Sequence, residues 1–201
     1  VLSEKRIIVL DTEYDTNPKR LLALAYIIYH QDDSKKVVSY IKHSPDAFVV
    51  NESGDSFQYH QLTNQYLQEN GKDIKEVMEQ FYQDILDVDI IVGQNIISAD
   101  IQAIRKESIG CYLWYDKIRD KLKNIPIYDT MFSFRDKNPE VKSSLDSIYS
   151  FLFNKDMKNH HNALNDCKNT FKCFQKMFED NYKFDKHNLL FMKIVILGAG
   201  R

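Results

Sequence analysis

The run Ile7-Ile8-Val9-Leu10 passes without a break into Asp11-Thr12-Glu13. Successive β-favouring apolar residues mark a buried strand. Side chains alternate along an extended chain, so Asp11 and Glu13 point the same way. Two like charges side by side repel, and a buried strand that ends in them must meet something that makes the geometry worth having.

The rest of the chain supplies partners for that strand. Leu21 to Tyr29 is too apolar for a surface strand, and Lys36 to Ile41 alternates. With Arg6 to Leu10 they form an expected antiparallel meander. From about His43 to Lys72 the chain is irregular, as functional loops often are. Ile74, Val77, Met78, Phe81, Ile85 and Leu86 then recur at helical steps. Asp73 is the expected N-cap, with Glu76 completing a capping box. Asp89 to Val92 reads as a short buried strand, and Ser98 to Ile109 and Cys111 to Leu122 as helices. Ile125 to Met131 reads as extended, and Ser144 to Phe153 and Ala163 to Phe178 as the last helices. This order predicts an α/β fold, a mixed sheet flanked by helices.

Composition narrows the function classes. At 201 residues the chain fits one domain with a real core. A net charge of −2 means that a polyanion partner needs a local basic patch or metal ions. No apolar run approaches the roughly 20 residues of a membrane span. Three cysteines without metal-site spacing predict reduced thiols and a cytoplasmic setting, or a nuclear one. No signal peptide is visible from Val1, although a start without Met leaves upstream targeting open.

Two further acids stand among apolar neighbours. Asp100 opens the helix after "DIIVGQN", and Asp166 shares a helical stripe with Ala163, Thr170 and Cys173. Burying an unpaired carboxylate is costly. Gathering Asp11, Glu13, Asp100 and Asp166 makes sense around cations, and oxygen ligands of this kind suit Mg²⁺ or Mn²⁺. Paired ions are a known device in phosphoryl chemistry. The segment "HHNALND" offers candidates for a base, His161 lying five residues before Asp166.

At these positions the sequence resembles the DEDDh 3′→5′ exonucleases of the ribonuclease-H-like superfamily. Asp11-Thr12-Glu13 matches the D-x-E motif, Gly93-Gln94-Asn95 with Asp100 the second motif, and His161-Asn162-Ala163-Leu164-Asn165-Asp166 the H-x-A-x-x-D motif. Ile127-Tyr128-Asp129-Thr130-Met131 and "SLDSIYSFLF" resemble further family segments, and the likeness runs from about residue 5 to 180. Gln94 replaces the usual His, Gln61 stands where Gly is common, and the gap from Asn95 to Asp100 is one residue longer than in many members.

The resemblance implies a ribonuclease-H-like sheet and two ions, Mg²⁺ or Mn²⁺, on the four acids. It implies His161 as general base and nucleoside 5′-monophosphates released from single-stranded or frayed 3′ ends of DNA or RNA. The expected substrate contacts are Thr12, Tyr14, Leu62, Thr63 and Asn95. A rival reading is a catalytically silent end-binding or docking module of a larger replication or repair assembly, with a polymerase or other protein partner. Residues 1–185 are the expected exonuclease domain, with 186–201 a tail or boundary remnant. The closing "MKIVILGAGR" lacks the third glycine and helix of a dinucleotide site.

Overall fold

The computed structural model describes residues 4–158 and 162–182. The candidate base His161, its neighbour His160, His187 and the tail segment Met192–Arg201 lie outside them. Strands β1 (Ile7–Thr16), β2 (Lys19–His30) and β3 (Asp33–Tyr40) form the meander. Short helices α1 (Phe57–His60) and α2 (Asn64–Asn70) precede α3 (Ile74–Ile85). Strand β4 (Ile90–Gly93) leads to α4 (Asp100–Gly110), then a wide helical turn Trp114–Ile118 and α5 (Arg119–Leu122). Strand β5 (Ile127–Asp129) is followed by α6 (Thr130–Lys137), α7 (Leu145–Phe153) and α8 (Ala163–Glu179).

The sheet order is β3-β2-β1-β4-β5. β1 pairs antiparallel with β2 and parallel with β4, so the strand that carries the acids is central. Alternation divides its residues between two cores. Ile8 and Leu10 pack with Met78, Phe81, Ile101 and Ile104 of α3 and α4. Ile7 and Val9 pack with Cys167, Cys173, Phe174 and Met177 of α8. Cys111, Cys167 and Cys173 are free thiols. Among the described residues no helix is long and apolar enough to cross a membrane.

Several elements differ from expectation for local physical reasons. β1 runs on to Thr16, because β2 pairs with it throughout, from Ile7↔Tyr29 to Thr16↔Lys19. Sheet pairing overrides the weak strand propensity of its acids. The stretch 43–72 holds α1 and α2, the latter capped by the Thr63 hydroxyl, which accepts the Tyr66 N–H at 3.1 Å. The extended segment from Ile125 stops at Asp129, whose carboxylate accepts the N–H groups of Met131 (3.0 Å) and Phe132 (3.3 Å) and starts α6. Asp73 caps α3 through the Lys75 N–H at 2.8 Å, while Glu76 faces Lys72 at 3.6 Å instead of closing a capping box.

One ion pair ties the meander to α4. Glu107 is buried and accepts from Arg20 Nε at 2.8 Å and from the Leu21 N–H at 3.2 Å. Arg20 also meets His43 Nδ1 at 2.9 Å, and His43 Nε2 lies 2.8 Å from the Leu21 carbonyl oxygen. Removing one partner of such a pair leaves the other charge buried and unmatched. Glu107→Ala is expected to lower the free energy of unfolding by about 3 kcal/mol in urea titrations, and a loss under about 1 kcal/mol would mean that this pair does not hold α4 in place.

Candidate active site

The register of β1 on β2 sets the acids. Asp11 lies opposite Ala25 and Glu13 opposite Ala23. Directly opposed residues share a face, so two methyl groups stand where larger side chains would crowd the carboxylates. That face is the one covered by α8, and Asp166 lies in the first turn of that helix. Thr12 points to the other face and donates its hydroxyl proton to Asp100 Oδ1 at 2.6 Å. Asp100 is the first residue of α4 and is only 3 % exposed. One strand and two helix N-terminal turns, from opposite sides of the sheet, therefore deliver the four acids.

Their charges interact. Burial drives the Asp11 carboxyl well above the usual carboxylate range, and Asp100, Glu13 and Asp166 push it further. Glu13 is pushed up to about 7 by burial, then by Asp166 and Asp100. Asp100 rises to about 7 through burial, with the Thr12 hydrogen bond pulling the other way. Among the described residues Asp11, Glu13 and Asp100 form no ion pair with a lysine or arginine. Lys19 is the nearby cation: its ammonium sits 4.2 Å from the centre of the Tyr14 ring and donates to the Ala99 carbonyl at 3.4 Å. Burial lowers its pKa, while the charge of Asp100 opposes that shift.

The donor set fits a hard divalent cation. It is all oxygen and set at least half below the surface, and the same field that hinders ionisation of Asp11, Glu13 and Asp100 favours a cation among them. Among the described residues no trio of His, Cys, Asp or Glu already closes into a ligand cage.

Two cavities flank Glu13. One, of about 510 Å³, is lined by Thr12, Glu13, Tyr14 and Tyr59; the other, of about 280 Å³, by Glu13, Val38, Tyr40, Leu62 and Ala163. His60 borders both. It is buried, accepts the Leu62 N–H through Nδ1 at 3.0 Å, and its Nε2 has no hydrogen-bond partner among the described residues. Asp15 anchors the loop above, accepting from Ser56 Oγ at 2.6 Å and from the Asn51 N–H at 3.3 Å. Burial would raise the Asp15 carboxyl, but these bonds and those from the Thr16 and Asn17 N–H groups hold it below its usual value.

The expected substrate contacts are placed unequally. Tyr14 and Leu62 line the cavities. Thr12 borders the larger one, yet its hydroxyl is committed to Asp100. Thr63 uses its hydroxyl as the α2 cap. Asn95 has a left-handed backbone (φ 55°) and donates its N–H to Asp129 at 3.0 Å. Val38, Tyr40 and His60 escaped the sequence reading: the β1-β2-β3 register puts Tyr40 and Val38 on the face of Glu13, and the stretch after β3 brings His60 there.

A five-stranded mixed sheet whose central strand carries two carboxylates defines a ribonuclease-H-like scaffold. The family model RNase_T, described as exonuclease, matches residues 8–174. The chain belongs to this exonuclease family. Its fold is similar to that of *E. coli* exonuclease I in complex with a dA16 oligonucleotide, with a TM-score of 0.72, 16% identity, and coverage of 92% of this chain and 45% of that one. It is also similar to a moderately thermophilic exonuclease I from *Methylocaldum szegediense* (TM-score 0.70, 16% identity, 90% and 42% covered). The chain thus spans less than half the length of those proteins. No curated protein sequence matches it.

The raised acids give the folded state a pH signature. With Glu13 and Asp100 titrating at about 7, the folded protein binds more protons than the unfolded chain from the ordinary carboxylate range up to that value. Their stabilising contribution is whole below that window and is lost as pH rises through it. In EDTA, Tm is expected to be higher near pH 5.5 than near pH 8, and Mg²⁺ or Mn²⁺ added at pH 8 should raise it. A Tm in EDTA that climbs between those pH values would contradict the shared field.

Proposed function

We propose that the chain is a divalent-metal-dependent 3′→5′ exonuclease that releases nucleoside 5′-monophosphates from single-stranded or frayed 3′ ends of DNA or RNA. The observation that carries this reading is the shared electrostatic field of Asp11, Glu13, Asp100 and Asp166. These four would hold two Mg²⁺ or Mn²⁺ ions. Bound there, such ions stabilise charge on the phosphate and make water a stronger nucleophile.

The chain's own groups do the rest. Thr12 holds Asp100 by its 2.6 Å bond, which favours the ionised carboxylate and opposes part of the upward pull of burial. The cavities beside Glu13 admit one terminal nucleotide, with Tyr14 on one side and Leu62 on the other. Lys19, between Tyr14 and Ala99, offers a positive charge at the rim of the acid cluster. His161 takes the proton from the attacking water, an assignment supported by its place five residues before Asp166. The oligonucleotide bound by the structurally similar *E. coli* exonuclease I supports a single-stranded substrate.

A 5′-labelled single strand incubated with Mg²⁺ should ladder from its 3′ end, and EDTA should stop it. Asp11→Ala and Asp166→Ala should each leave less than about a tenth of the activity in a folded protein, since a lost metal ligand removes several kcal/mol of transition-state stabilisation. Tight binding without laddering by the wild type would instead indicate an end-binding module.

Thr12→Val tests the brace on Asp100. A hydrogen bond to a charged group is worth about 1.5–3 kcal/mol. The Mn²⁺ concentration for half-maximal activity should rise about tenfold or more, with kcat at saturating Mn²⁺ close to wild type. An unchanged Mn²⁺ requirement would remove Thr12 from the machinery.

A further inference from the structure

Away from the acids, a cavity of about 420 Å³ opens between α8, the end of α7 and the segment that follows α7. Lys155, Lys158, Lys168 and Lys172 line it, with a single acid, Asp156. The cavity gathers four ammonium groups against one carboxylate, whereas Lys5, Lys35, Lys72, Lys123 and Lys176 each sit beside an acid at 4 Å or less. Among the described residues none of the four cavity lysines is in an ion pair. Lys168 and Lys172, with Asn165 and Asn169, fall at helical steps of three and four and so form one face of α8. The opposite face, with Cys167, Cys173 and Phe174, is buried on the sheet.

A second observation is independent of charge. Asn169 lines the same cavity, is 8 % exposed, and its side-chain amide has no hydrogen-bond partner among the described residues. Its amide therefore meets the cavity, where water or a bound ligand completes its hydrogen bonds. Its NH₂ group can donate to an anionic oxygen. Lysine ammonium groups bind phosphate as point charges. Tyr149 is buried beneath the cavity, so no exposed aromatic face is offered to a base.

We infer that this lysine cavity binds the phosphodiester backbone of the substrate strand, upstream of the 3′-terminal nucleotide. The inference rests on the exonuclease reading. Asn162, Ala163 and Leu164 border the smaller cavity at Glu13, and the next two turns of α8 carry Asn165 to Lys172. At a rise of about 1.5 Å per residue, Asn162 and Lys172 lie about 15 Å apart along the helix. About four stacked nucleotides, at about 3.4 Å each, cover that distance. A dinucleotide held at the acids cannot reach the lysines, whereas a 12-mer can. Contacts to phosphate alone are blind to sequence, so binding there is sequence-independent.

The test compares the wild type with Lys168→Ala/Lys172→Ala on a dinucleotide and on 12-mers, in DNA and RNA. The variant should show a KM about tenfold higher on the 12-mer with kcat unchanged, and a KM within about twofold of wild type on the dinucleotide. The slope of log KM against log salt should fall by about 1.4, or about 0.7 for each lost contact to a single strand. Lys168→Arg/Lys172→Arg should restore the 12-mer KM. Equal losses on both lengths, or none on either, would overturn the inference. So would competition by a nucleoside 5′-monophosphate against the 12-mer alone, which would mark a free-nucleotide site. Fluorescence anisotropy of a labelled 12-mer in EDTA separates the two claims. If binding depends on the lysines but no strand is cleaved by the wild type, the exonuclease reading fails and the cavity assignment stands. If the variant binds as the wild type does, the cavity assignment fails whatever the activity.

Discussion

Repulsion between carboxylates held on one face of a central strand is the constraint around which the molecule is arranged. Ion pairing could relieve it, and the fold does use ion pairs: Arg20 with Glu107, Lys35 with Asp84. Among the described residues it places none of them on Asp11, Glu13 or Asp100. Instead the chain surrounds the acids with small or neutral groups, the methyls of Ala23 and Ala25 and the hydroxyl of Thr12. Each acid is thereby held against its preference for ionisation in water. A site of that kind is poised for an external cation, because a divalent ion would relieve several unfavourable interactions at once.

The parts of this arrangement that obey short-range periodicity were legible in the sequence. Alternation alone put Asp11 and Glu13 on one side, and helical spacing put Asp166 on the stripe that packs against them. The mixed sheet followed from element order. What escaped were features set by contacts distant in the chain. β1 continues through Asp11 to Thr16 because β2 is there to bond with it. The Thr12 hydroxyl reads as a candidate for substrate until α4 brings Asp100 to it. The lysines of α8 and of the segment after α7 are unremarkable as a sequence and gain meaning only where the two segments border one cavity.

Asp129 shows how an acid can belong to the scaffold of a site while resembling its ligands. It accepts the N–H groups of Asn95 and Ile97 in the loop before α4, and those of Met131 and Phe132 at the start of α6. Burial still lifts it to about 6 against these bonds. Its charge is used within the protein, where it joins the end of β5 to the loop that delivers Asp100. These four donors give Asp129 its structural role.

Gln94 makes the same point from the opposite direction. It stands where related sequences usually carry histidine, a change that on its own raises doubt about the site. Its side chain donates from Nε2 to the Ser143 carbonyl at 2.7 Å and accepts the Thr130 hydroxyl at Oε1, at 2.5 Å. It therefore bridges the end of β4, the first residue of α6 and the approach to α7. A neutral imidazole also offers one donor and one acceptor, so an amide can fill this bridging position without a charge. The departure thus falls on the frame that orients the loop between Gly93 and Asp100, and the four carboxylates keep their places on β1, α4 and α8.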